Sequence, residues 1–336
     1  MNAAKPKPLV VCFGEMLLRL APPGREILLQ TPRLETAFGG AEANVAVGLA
    51  RLGGRSRMVT VLPDNAIGHA AAAELRRWGV DASRLRFAPG RMGLYFLTPG
   101  AALRPAEVLY DRAGSAFACA GPDLIDWQAE LAGAAWLHVS GITPATGSQG
   151  AAAAMRAVRA ARRLGVQVSF DGNFRSKVWS ERIGEAPAVL RDLMAHTDVA
   201  FIDERDIALM LGKSFSGHDA AVDAAFDVFP ELMTIASTSR VVIGPDEHDL
   251  VGRMSTQTER LETDVVRLRG IVDRVGAGDA FCAGVLHGLI AGIPDTDALA
   301  RGLACCALKH GIVGDFPLIT SDDVAAFAPE QGDLRR

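Results

Sequence analysis

The sequence predicts an α/β protein in which a mainly parallel central sheet is covered by helices on both faces. Two observations lead to this prediction: short apolar runs of strand length alternate with longer helical patterns, and the alternation extends from Leu9 to His310. Such alternation is typical of parallel sheets, whose ligands bind beyond the carboxyl ends of the strands. With 336 residues, the chain can bury a sizeable core as one large domain or two medium ones.

The first strand is predicted at Leu9–Phe13, which is a short apolar run. A helix follows at Ala41–Leu52, because alanine and valine recur there at the spacing of one helical face. The later elements are predicted, in chain order, as strand Arg57–Leu62, helix Ile67–Trp78, strand Ala135–Val139, helix Gly150–Leu164, strands Val166–Phe170, Asp198–Ile202 and Arg240–Ile243, and helices Ala280–Ala291 and Thr296–His310.

Two stretches interrupt the alternation, at Leu17–Ala37 and Met92–Asp111. Both are β-like and lack a helical pattern, and proline and glycine punctuate them. We expect them to form a small separate sheet that acts as a lid. A pair of surface hairpins is the alternative.

Composition excludes several classes of function. The chain has 35 basic and 39 acidic residues, a net charge of −4, so there is no electrostatic basis for binding nucleic acid or an anionic membrane. No apolar run is long enough to span a bilayer, and no apolar core of signal-peptide length follows Met1–Pro8. The five cysteines lack metal-ligand spacing, and an odd number fits poorly with a disulfide framework, so we expect a cytoplasmic protein.

The segment Asp273–Phe281 (DRVGAGDAF) carries the strongest functional pattern. Its glycines, Gly276 and Gly278, allow a backbone to wrap around an anion, and free N–H groups at a helix start favour negative charge. A carboxylate such as Asp279 is unusual at an anion site unless it acts on a proton. The pattern therefore indicates phosphoryl transfer to a hydroxyl, with a plain helix N-terminus capped by Asp279 as the alternative.

The segment Gly39–Asn44 (GGAEAN) opens the first predicted helix. Gly39 and Gly40 would let the backbone approach a ligand closely, and Asn44 offers donor and acceptor groups suited to sugar hydroxyls. Alone, the segment could equally be a loop-to-helix junction.

Together, Gly-Gly-x-x-x-Asn near the start and Gly-Ala-Gly-Asp near the end resemble the ribokinase-like (PfkB) carbohydrate kinases, and the resemblance covers nearly the whole chain. It implies a single kinase domain, 1–336, built as a three-layer α/β/α sandwich with a mainly parallel sheet. It also implies a small β-sheet lid formed by residues 17–37 and 92–111. Because family members often dimerise through their lids, a homodimer or higher homo-oligomer is expected.

The resemblance also assigns roles to the two motifs. The late motif supplies the anion hole, formed by Gly276, Ala277, Gly278 and Asp279, with Asp279 also the base that takes the proton of the acceptor hydroxyl. The early motif contacts the sugar through Gly39, Gly40 and Asn44. ATP is the implied phosphoryl donor, with Mg²⁺ on its phosphates, and a monovalent cation is left open as a further cofactor.

Further local pieces resemble the 2-keto-3-deoxygluconate kinases within this family. They are Gly39–Val45 (GGAEANV), Gly93–Tyr95 (GLY), Leu109–Arg112 (LYDR), Ser140–Pro144 (SGITP) and Asp171–Arg175 (DGNFR) followed by Trp179. This resemblance implies phosphorylation of the C6 hydroxyl of 2-keto-3-deoxygluconate, with the acceptor lined by Tyr95, Tyr110, Arg112 and Arg175. Arginine binds a carboxylate in a forked geometry, and tyrosine hydroxyls can bond sugar oxygens. The alternatives are tyrosines that pack the lid, a solvated Arg112, and an Arg175–Asp171 ion pair.

One departure from the family pattern follows the fourth core strand. The family usually has Asn-x-x-Glu there, whereas this chain has Asp203-Glu204-Arg205-Asp206. Glu204 or Asp206 could act indirectly near Mg²⁺ and phosphate. The segment could equally be an ordinary helix start with acidic residues in its first turn.

A larger departure lies beside the expected nucleotide. The family has a strand followed by Lys or Thr and Gly-x-x-Gly, but in Val241–Asp249 (VVIGPDEHD) the basic residue and the second glycine are missing and three acids stand instead. Acids near ATP phosphates are unfavourable, so this loop either points away or weakens nucleotide affinity. By resemblance, the nucleotide contacts are Gly244, Gly276, Ala277, Gly278, Ala304 and Ala307. Asp315, after Gly314, resembles a position close to the active site, or is a turn residue.

The leading prediction is an ATP-dependent sugar-acid kinase that binds small molecules, with no nucleic acid or membrane partner. A kinase for a neutral sugar such as fructose or ribose is the alternative within the same class. A non-catalytic sugar or nucleotide sensor is a different class, and the intact Asp279 argues against it. A dehydrogenase is disfavoured because no Gly-x-Gly-x-x-Gly follows the first strand.

Overall fold

The computed structural model of the protein describes residues 7–244 and 246–328. Most of the N-terminal stretch considered for a signal peptide, Met1–Pro8, and Pro245 of the segment beside the expected nucleotide lie outside the described residues. No helix in the described ranges is long and apolar enough to cross a membrane.

The strands of the described chain lie between Leu9 and Arg269. They are β1 Leu9–Phe13, β2 Leu17–Ala21, β3 Glu35–Gly39, β4 Arg55–Val59, β5 Val61–Pro63, β6 Arg86–Ala88, β7 Gly93–Thr98, β8 Glu107–Asp111, β9 Ala134–Ser140, β10 Gln167–Asp171, β11 Val199–Phe201, β12 Thr234–Gly244, β13 Glu247–Ser255, β14 Arg260–Glu262 and β15 Val266–Arg269.

The α-helices alternate with these strands. They are α1 Ala41–Arg51, α2 Ala66–Arg77, α3 Ala116–Cys119, α4 Trp127–Glu130, α5 Ser148–Leu164, α6 Ser176–Trp179, α7 Ala186–Met194, α8 Glu204–Leu211, α9 His218–Val228, α10 Ala277–Ala291, α11 Asp295–Lys309 and α12 Ser321–Ala325. Short 3₁₀ helices lie at Pro144–Thr146 and Ser180–Glu185.

The central sheet contains nine strands among the described residues, in the order β14-β13-β12-β11-β10-β9-β1-β4, with β15 also paired to β13. The strands from β12 through β4 pair in parallel, whereas β13, β14 and β15 pair antiparallel. The parallel strands therefore end at one common edge, where a ligand site is expected.

Alternate residues of β1 point into two separate hydrophobic cores. Val11 and Phe13 join the core that includes residues of α5 and α7, whereas Val10 and Cys12 join the core that includes residues of α1 and α10. A strand buried on both faces reads as a continuous apolar run, which explains the sequence of Leu9–Phe13. Helices thus cover both faces of the sheet, as the sequence predicted.

Both stretches that interrupt the alternation contribute strands to one separate four-stranded sheet, in the order β3-β2-β7-β8. Its inner residues, including Leu17, Tyr95 and Leu97, form a small cluster of their own. Strand β3 continues to Gly39, two residues beyond the predicted limit of the first stretch. This sheet therefore leads directly into α1 and the Gly39–Asn44 motif.

Two strand predictions were wrong in detail. The run Arg57–Leu62 is not one strand: β4 pairs with β1 in the central sheet, and β5 pairs with β6 in a separate two-stranded sheet. Arg240–Ile243 is not a core strand either. The parallel pairing with β11 spans Thr234–Ala236. The residues Arg240–Ile243 lie farther along β12, where they pair antiparallel with β13 and are exposed. Apolar β-branched residues form strands in both settings, so composition did not separate them.

Candidate active site

Helix α10 begins at the carboxyl edge of the sheet with an open N-terminus. Gly276 precedes it in the left-handed conformation, with φ of 80°, and a β-carbon there would lie 2.1 Å from the backbone oxygen of Asp315. Gly278 is exposed, and no atom lies within 4 Å of the position its β-carbon would take. Glycine is therefore required at 276 by backbone geometry and packing, and at 278 the first turn faces open space that can receive an anion.

Asp279 lies in this first turn and is buried, with 8% exposure. The Nδ2 of Asn44 donates a hydrogen bond to its Oδ2 at 2.6 Å, so the early and late motifs meet directly. Burial raises the pKa of the Asp279 carboxyl to about 7, although the Asn44 hydrogen bond and the charge of Arg175 act to lower it. A carboxylate with this pKa can exchange a proton near neutral pH.

Two further carboxylates, Asp171 and Asp206, have raised pKa values. The sequence analysis did not assign Asp171 to the site, and it gave Asp206 only an indirect role. Asp171 ends β10, and burial, followed by the negative charge of Asp279, raises its pKa well above the ordinary value. Burial also raises the pKa of Asp206 to about 6. Asp206 and Asp203 form a capping box at the start of α8, and Glu204 is exposed. An indirect role of Glu204 or Asp206 near Mg²⁺ stays a prediction.

A buried ionic network joins the small sheet to the loops around α10. The Nη1 of Arg19, on β2, donates to Asp273 at 2.6 Å and to Asp315 at 3.2 Å. The hydroxyl of Tyr95, on β7, donates to Asp315 at 2.6 Å. The Asp273 carboxylate also accepts from the backbone N–H of Gly314 at 3.1 Å. Asp315 is therefore a member of the site's hydrogen-bond network and more than a turn residue.

The glycine pair of the early motif makes room for this network. A β-carbon on Gly39 would lie 2.0 Å from the Asp315 carboxylate, and one on Gly40 would lie 2.3 Å from the backbone oxygen of Glu15. Close packing between protein segments thus requires both glycines. The expectation that these residues contact a sugar stays a prediction.

Arg112 is neither solvated nor free. Its side chain is 7% exposed, and its Nε donates to Oε2 of Glu15 at 2.7 Å. The Ser115 hydroxyl donates to the other oxygen of Glu15, which holds this carboxylate in place. The alternative of a solvated edge charge was therefore wrong. The sequence gave no signal of this pairing, because Glu15 lies 97 residues away from Arg112.

The segment Ser140–Pro144 provides hydrogen-bond donors for the buried carboxylate of Glu42. The Oε1 of Glu42 accepts from the backbone and hydroxyl of Ser140 and from the hydroxyl of Thr143. Burial raises the pKa of Glu42, and these hydrogen bonds act to lower it. The contact fixes the first turn of α1, from which Asn44 reaches Asp279.

A cleft of about 970 Å³ lies between the small sheet and the loop after β10. Tyr110 and Arg175 line it, and the ring of Tyr110 lies 6.2 Å from that of Tyr95. Arg175 is exposed and makes no ion pair among the described residues, so the alternative of an Arg175–Asp171 pair was wrong. The structure thus leaves the Arg175 guanidinium available to a ligand, in contrast to Arg112.

In the segment that the sequence predicts beside the nucleotide, β12 and β13 pair antiparallel, and Gly244 pairs with Glu247. Two of its acids are neutralised, since Asp246 pairs with Arg25 and Glu247 pairs with Arg269. The side chains at Ala304 and Ala307 are buried on α11. The unfavourable charge expected from the sequence is therefore largely offset by arginines.

Arginines also supply the positive charge that this segment lacks. Although Arg240 as a whole residue is exposed, partial desolvation, and then the charges of Arg274, Arg205 and Arg175, lower its pKa, so these guanidiniums lie within electrostatic range of Arg240. Arg240 and Arg274 are exposed and have no ion-pair partner in the described ranges. The sequence analysis did not identify either residue, although Arg274 stands two positions before Gly276.

The donor set suits a metal ion that arrives with a nucleotide. Within the described residues there is no group of three or more His, Cys, Asp or Glu side chains placed to hold a metal. Mg²⁺ commonly retains several waters and takes phosphate oxygens, so it needs no dedicated protein cage.

The model of the pfkB family carbohydrate kinases matches residues 7–314. The chain belongs to this family. A curated relative, 2-dehydro-3-deoxygalactonokinase of Haloferax volcanii, is 35% identical over 94% of this chain and 95% of its own length. The crystal structure of 2-dehydro-3-deoxygluconokinase from Thermotoga maritima has a TM-score of 0.90 and 35% identity, covering 95% of this chain and 98% of that one.

A fructokinase from Klebsiella pneumoniae is also similar, with 33% identity over 87% of this chain and 88% of its own length. These comparisons confirm the family and the ribokinase-like fold that the sequence motifs implied. This PfkB protein is therefore an ATP-dependent sugar kinase, and its similarity to the 2-dehydro-3-deoxy sugar-acid kinases extends over nearly the whole chain.

Proposed function

We propose that this PfkB kinase transfers the γ-phosphoryl group of ATP to the C6 hydroxyl of 2-keto-3-deoxygluconate, giving 2-keto-3-deoxy-6-phosphogluconate. The observation that carries the proposal is the buried Asn44–Asp279 pair at the open N-terminus of α10. The full-length similarity to two 2-dehydro-3-deoxy sugar-acid kinases supports the acceptor class.

Asp279 is the general base in this proposal. Its pKa of about 7 leaves a substantial fraction ionised at neutral pH, while Asn44 orients the carboxylate toward the opening. It would accept the proton of the C6 hydroxyl as that oxygen attacks phosphorus. A positioned base of this kind typically contributes ~10²–10⁴-fold in rate.

The backbone N–H groups from Gly276 to Asp279 form the anion hole. They point from a helix start into open space at Gly278, so they can stabilise charge on the transferring phosphoryl oxygens without reorganising. Mg²⁺ would neutralise charge on the ATP phosphates. Arg240 and Arg274 are the residues we assign to those phosphates, because they are exposed and unpaired near this opening.

For the acceptor, we assign the sugar carboxylate to Arg175 and the hydroxyls to Tyr95, Tyr110 and Asn44. Arg175 lines the cleft, has no ion-pair partner among the described residues, and makes one hydrogen bond, from Nη1 to the backbone oxygen of Phe174, so its other donors can bind a carboxylate. Arg112 is already held by Glu15, so its remaining nitrogens would add to carboxylate binding from a fixed position. Gly39 and Gly40 bring the backbone of this wall close to the acceptor.

Motion of the small sheet as a lid would exclude water from the transfer. The sheet's outer face carries a row of apolar residues, Leu20, Phe96 and Leu109, paired across three strands. Leu109 is 58% exposed. A second copy of the chain would cover this row, and we therefore propose a homodimer joined through the lids.

A neutral sugar is the second candidate acceptor. The similarity to a fructokinase favours it, and so does the Glu15 contact that partly neutralises Arg112. The deciding experiment measures ADP release with Mg-ATP and 2-keto-3-deoxygluconate, 2-keto-3-deoxygalactonate, fructose, ribose or no acceptor.

We expect turnover with a keto-deoxy acid that far exceeds turnover with either neutral sugar. Preference for fructose or ribose would retain the kinase and overturn the carboxylate assignment to Arg175. Preference for the galactonate would retain the acid pocket and change the stereochemistry. Nucleotide binding without turnover on any acceptor would favour a sensor.

A further inference from the structure

Lys309 is a buried charged residue that the proposed mechanism does not use. It is the last residue of α11 and has 0% exposure, and no other lysine of the described residues is buried. A lysine in a protein interior carries a large desolvation cost unless its ammonium has partners. Its surroundings therefore indicate what retains it there.

The Lys309 side chain lies directly beneath the anion hole. Its Cε is 3.4 Å from the position that a β-carbon on Gly276 would occupy. Its Nζ donates to the backbone oxygen of Ile312 at 2.9 Å, in the loop that leads to Asp315. Lys309 thus contacts both backbone segments that meet behind the first turn of α10.

These two segments are bound to each other through their backbones. The N–H groups of Val272 and Asp273 donate to the carbonyl of His310, and the N–H of Gly314 donates to the carboxylate of Asp273. The pair of loops therefore sets where Gly276 and the following N–H groups lie.

Carboxylates predominate among the charged groups around Lys309. Burial lowers the pKa of its amine, while the carboxylates of Asp273 and Asp315 act to raise it. Arg19 donates to both carboxylates from the lid side. The carboxylate of Asp279 also acts to raise this pKa, so three carboxylates face two cations, and removing Lys309 would leave still more negative charge behind a site that must attract a phosphoryl group.

We propose that Lys309 is a built-in cation of the phosphoryl-transfer site, whose ammonium fixes and charges the Gly276–Asp279 anion hole in place of a free monovalent cation. This inference rests on the proposed function. Lys309 touches no reacting atom, so it is a positioning residue that acts through Gly276 and the Ile312 carbonyl. The competing explanation is a purely structural role, in which the lysine only terminates α11.

The test compares the wild type, Lys309→Met and Lys309→Arg, with Lys213→Met as a control because Lys213 is exposed at the end of α8. Steady-state kinetics are measured with choline as the counter-ion, followed by titration with K⁺ and NH₄⁺. The wild type and the control should be insensitive to added K⁺. Lys309→Met should lose ~10–100-fold in kcat with little change in either KM, and added K⁺ or NH₄⁺ should restore part of the loss.

Two results would overturn the proposal. One is a requirement of the wild type for added K⁺ during turnover. This measurement needs no variant, so it remains valid even if Lys309→Met fails to fold. The other is a folded Lys309→Met, verified by circular dichroism and thermal melting, that keeps the wild-type kcat or loses activity without rescue by either ion. Retained activity in Lys309→Arg with loss in Lys309→Met would support a role for the charge.

A second measurement needs no acceptor, so it tests the role of Lys309 separately from the proposed acceptor. Mg-ADP with aluminium fluoride mimics a transferring phosphoryl group, and its binding is followed by thermal shift in the wild type and in Lys309→Met. A fluoride-dependent shift in the wild type that Lys309→Met lacks supports the inference even if every acceptor of the panel is silent. Equal shifts in both proteins contradict it.

Discussion

The two sides proposed for acceptor and nucleotide differ in how far their charged groups are already paired. Under the lid, the polar groups are buried and paired: Asn44 with Asp279, Arg19 with Asp273, and Tyr95 with Asp315. On the other side, Arg240 on β12 and Arg274, two residues before Gly276, are exposed and have no ion-pair partners within the described ranges.

This difference indicates a division of labour. Groups that act on the reacting hydroxyl are preorganised, which lowers the cost of reaching the transition state. Groups on the nucleotide side provide positive charge and open space, and the ATP phosphates would complete their contacts. Substitutions on the acceptor side should therefore change kcat and its pH dependence, and those on the nucleotide side should change KM for ATP.

The largest effect is expected from Asp279→Asn. Removing the base should lower kcat by ~10²–10⁴-fold while acceptor binding persists, because the amide keeps the size and the hydrogen-bonding capacity of the carboxyl. Steady-state kinetics and calorimetric titration of the acceptor check this, with exposed Asp264→Asn as the control. Near-normal turnover of Asp279→Asn would remove Asp279 from the role of base.

Next in size are Arg274→Ala and Arg240→Ala, which should raise KM for ATP by ~10–100-fold, in line with the loss of a charge-assisted hydrogen bond. The KM for the acceptor should change little. Initial rates at varied ATP measure the effect, with Arg84→Ala as a distant exposed control. An unchanged KM for ATP would show that this arginine pair does not serve the nucleotide.

A smaller, pH-dependent effect is expected from Asn44→Ala. The Asn44 hydrogen bond favours the ionised form of Asp279, so its loss should raise the pKa of that carboxyl further above about 7. Since the base must be ionised, kcat should fall below this pKa, and the acid limb should move to higher pH. A kcat–pH profile should show ~10-fold lower activity than wild type near pH 6 and recovery at alkaline pH. A uniform loss at all pH values would contradict this explanation.

The smallest effect is expected from Tyr95→Phe, which deletes the hydroxyl bonded to Asp315 and keeps the ring in the lid cluster. One lost hydrogen bond of this kind should raise KM for the acceptor by ~3–10-fold and leave KM for ATP unchanged. Equal changes in the two KM values would break the distinction between the two sides.

Much of the site could be predicted because its chemistry is local. The sequence around Gly276 and Asp279 contains the turn, the helix start and the carboxylate within a few residues, and the open first turn at Gly278 fits that prediction. Asp171 and Arg274 lie inside or beside recognised segments, so their charge could have drawn attention. Arg240 could not be placed, because its strand was predicted as part of the core.

By itself, the sequence determined the alternation of strands and helices, the two-sided sheet, the segments of the small separate sheet and the family, since each follows from short-range periodicity or from motifs of adjacent residues. Tertiary structure alone decided which charges are free and which are held. Arg19 meets Asp273 across 254 residues and Arg112 meets Glu15 across 97, so the pairing depends on how the lid packs against the core. Burial, which sets the pKa of Asp279 and encloses Lys309, is likewise a property of the packed molecule.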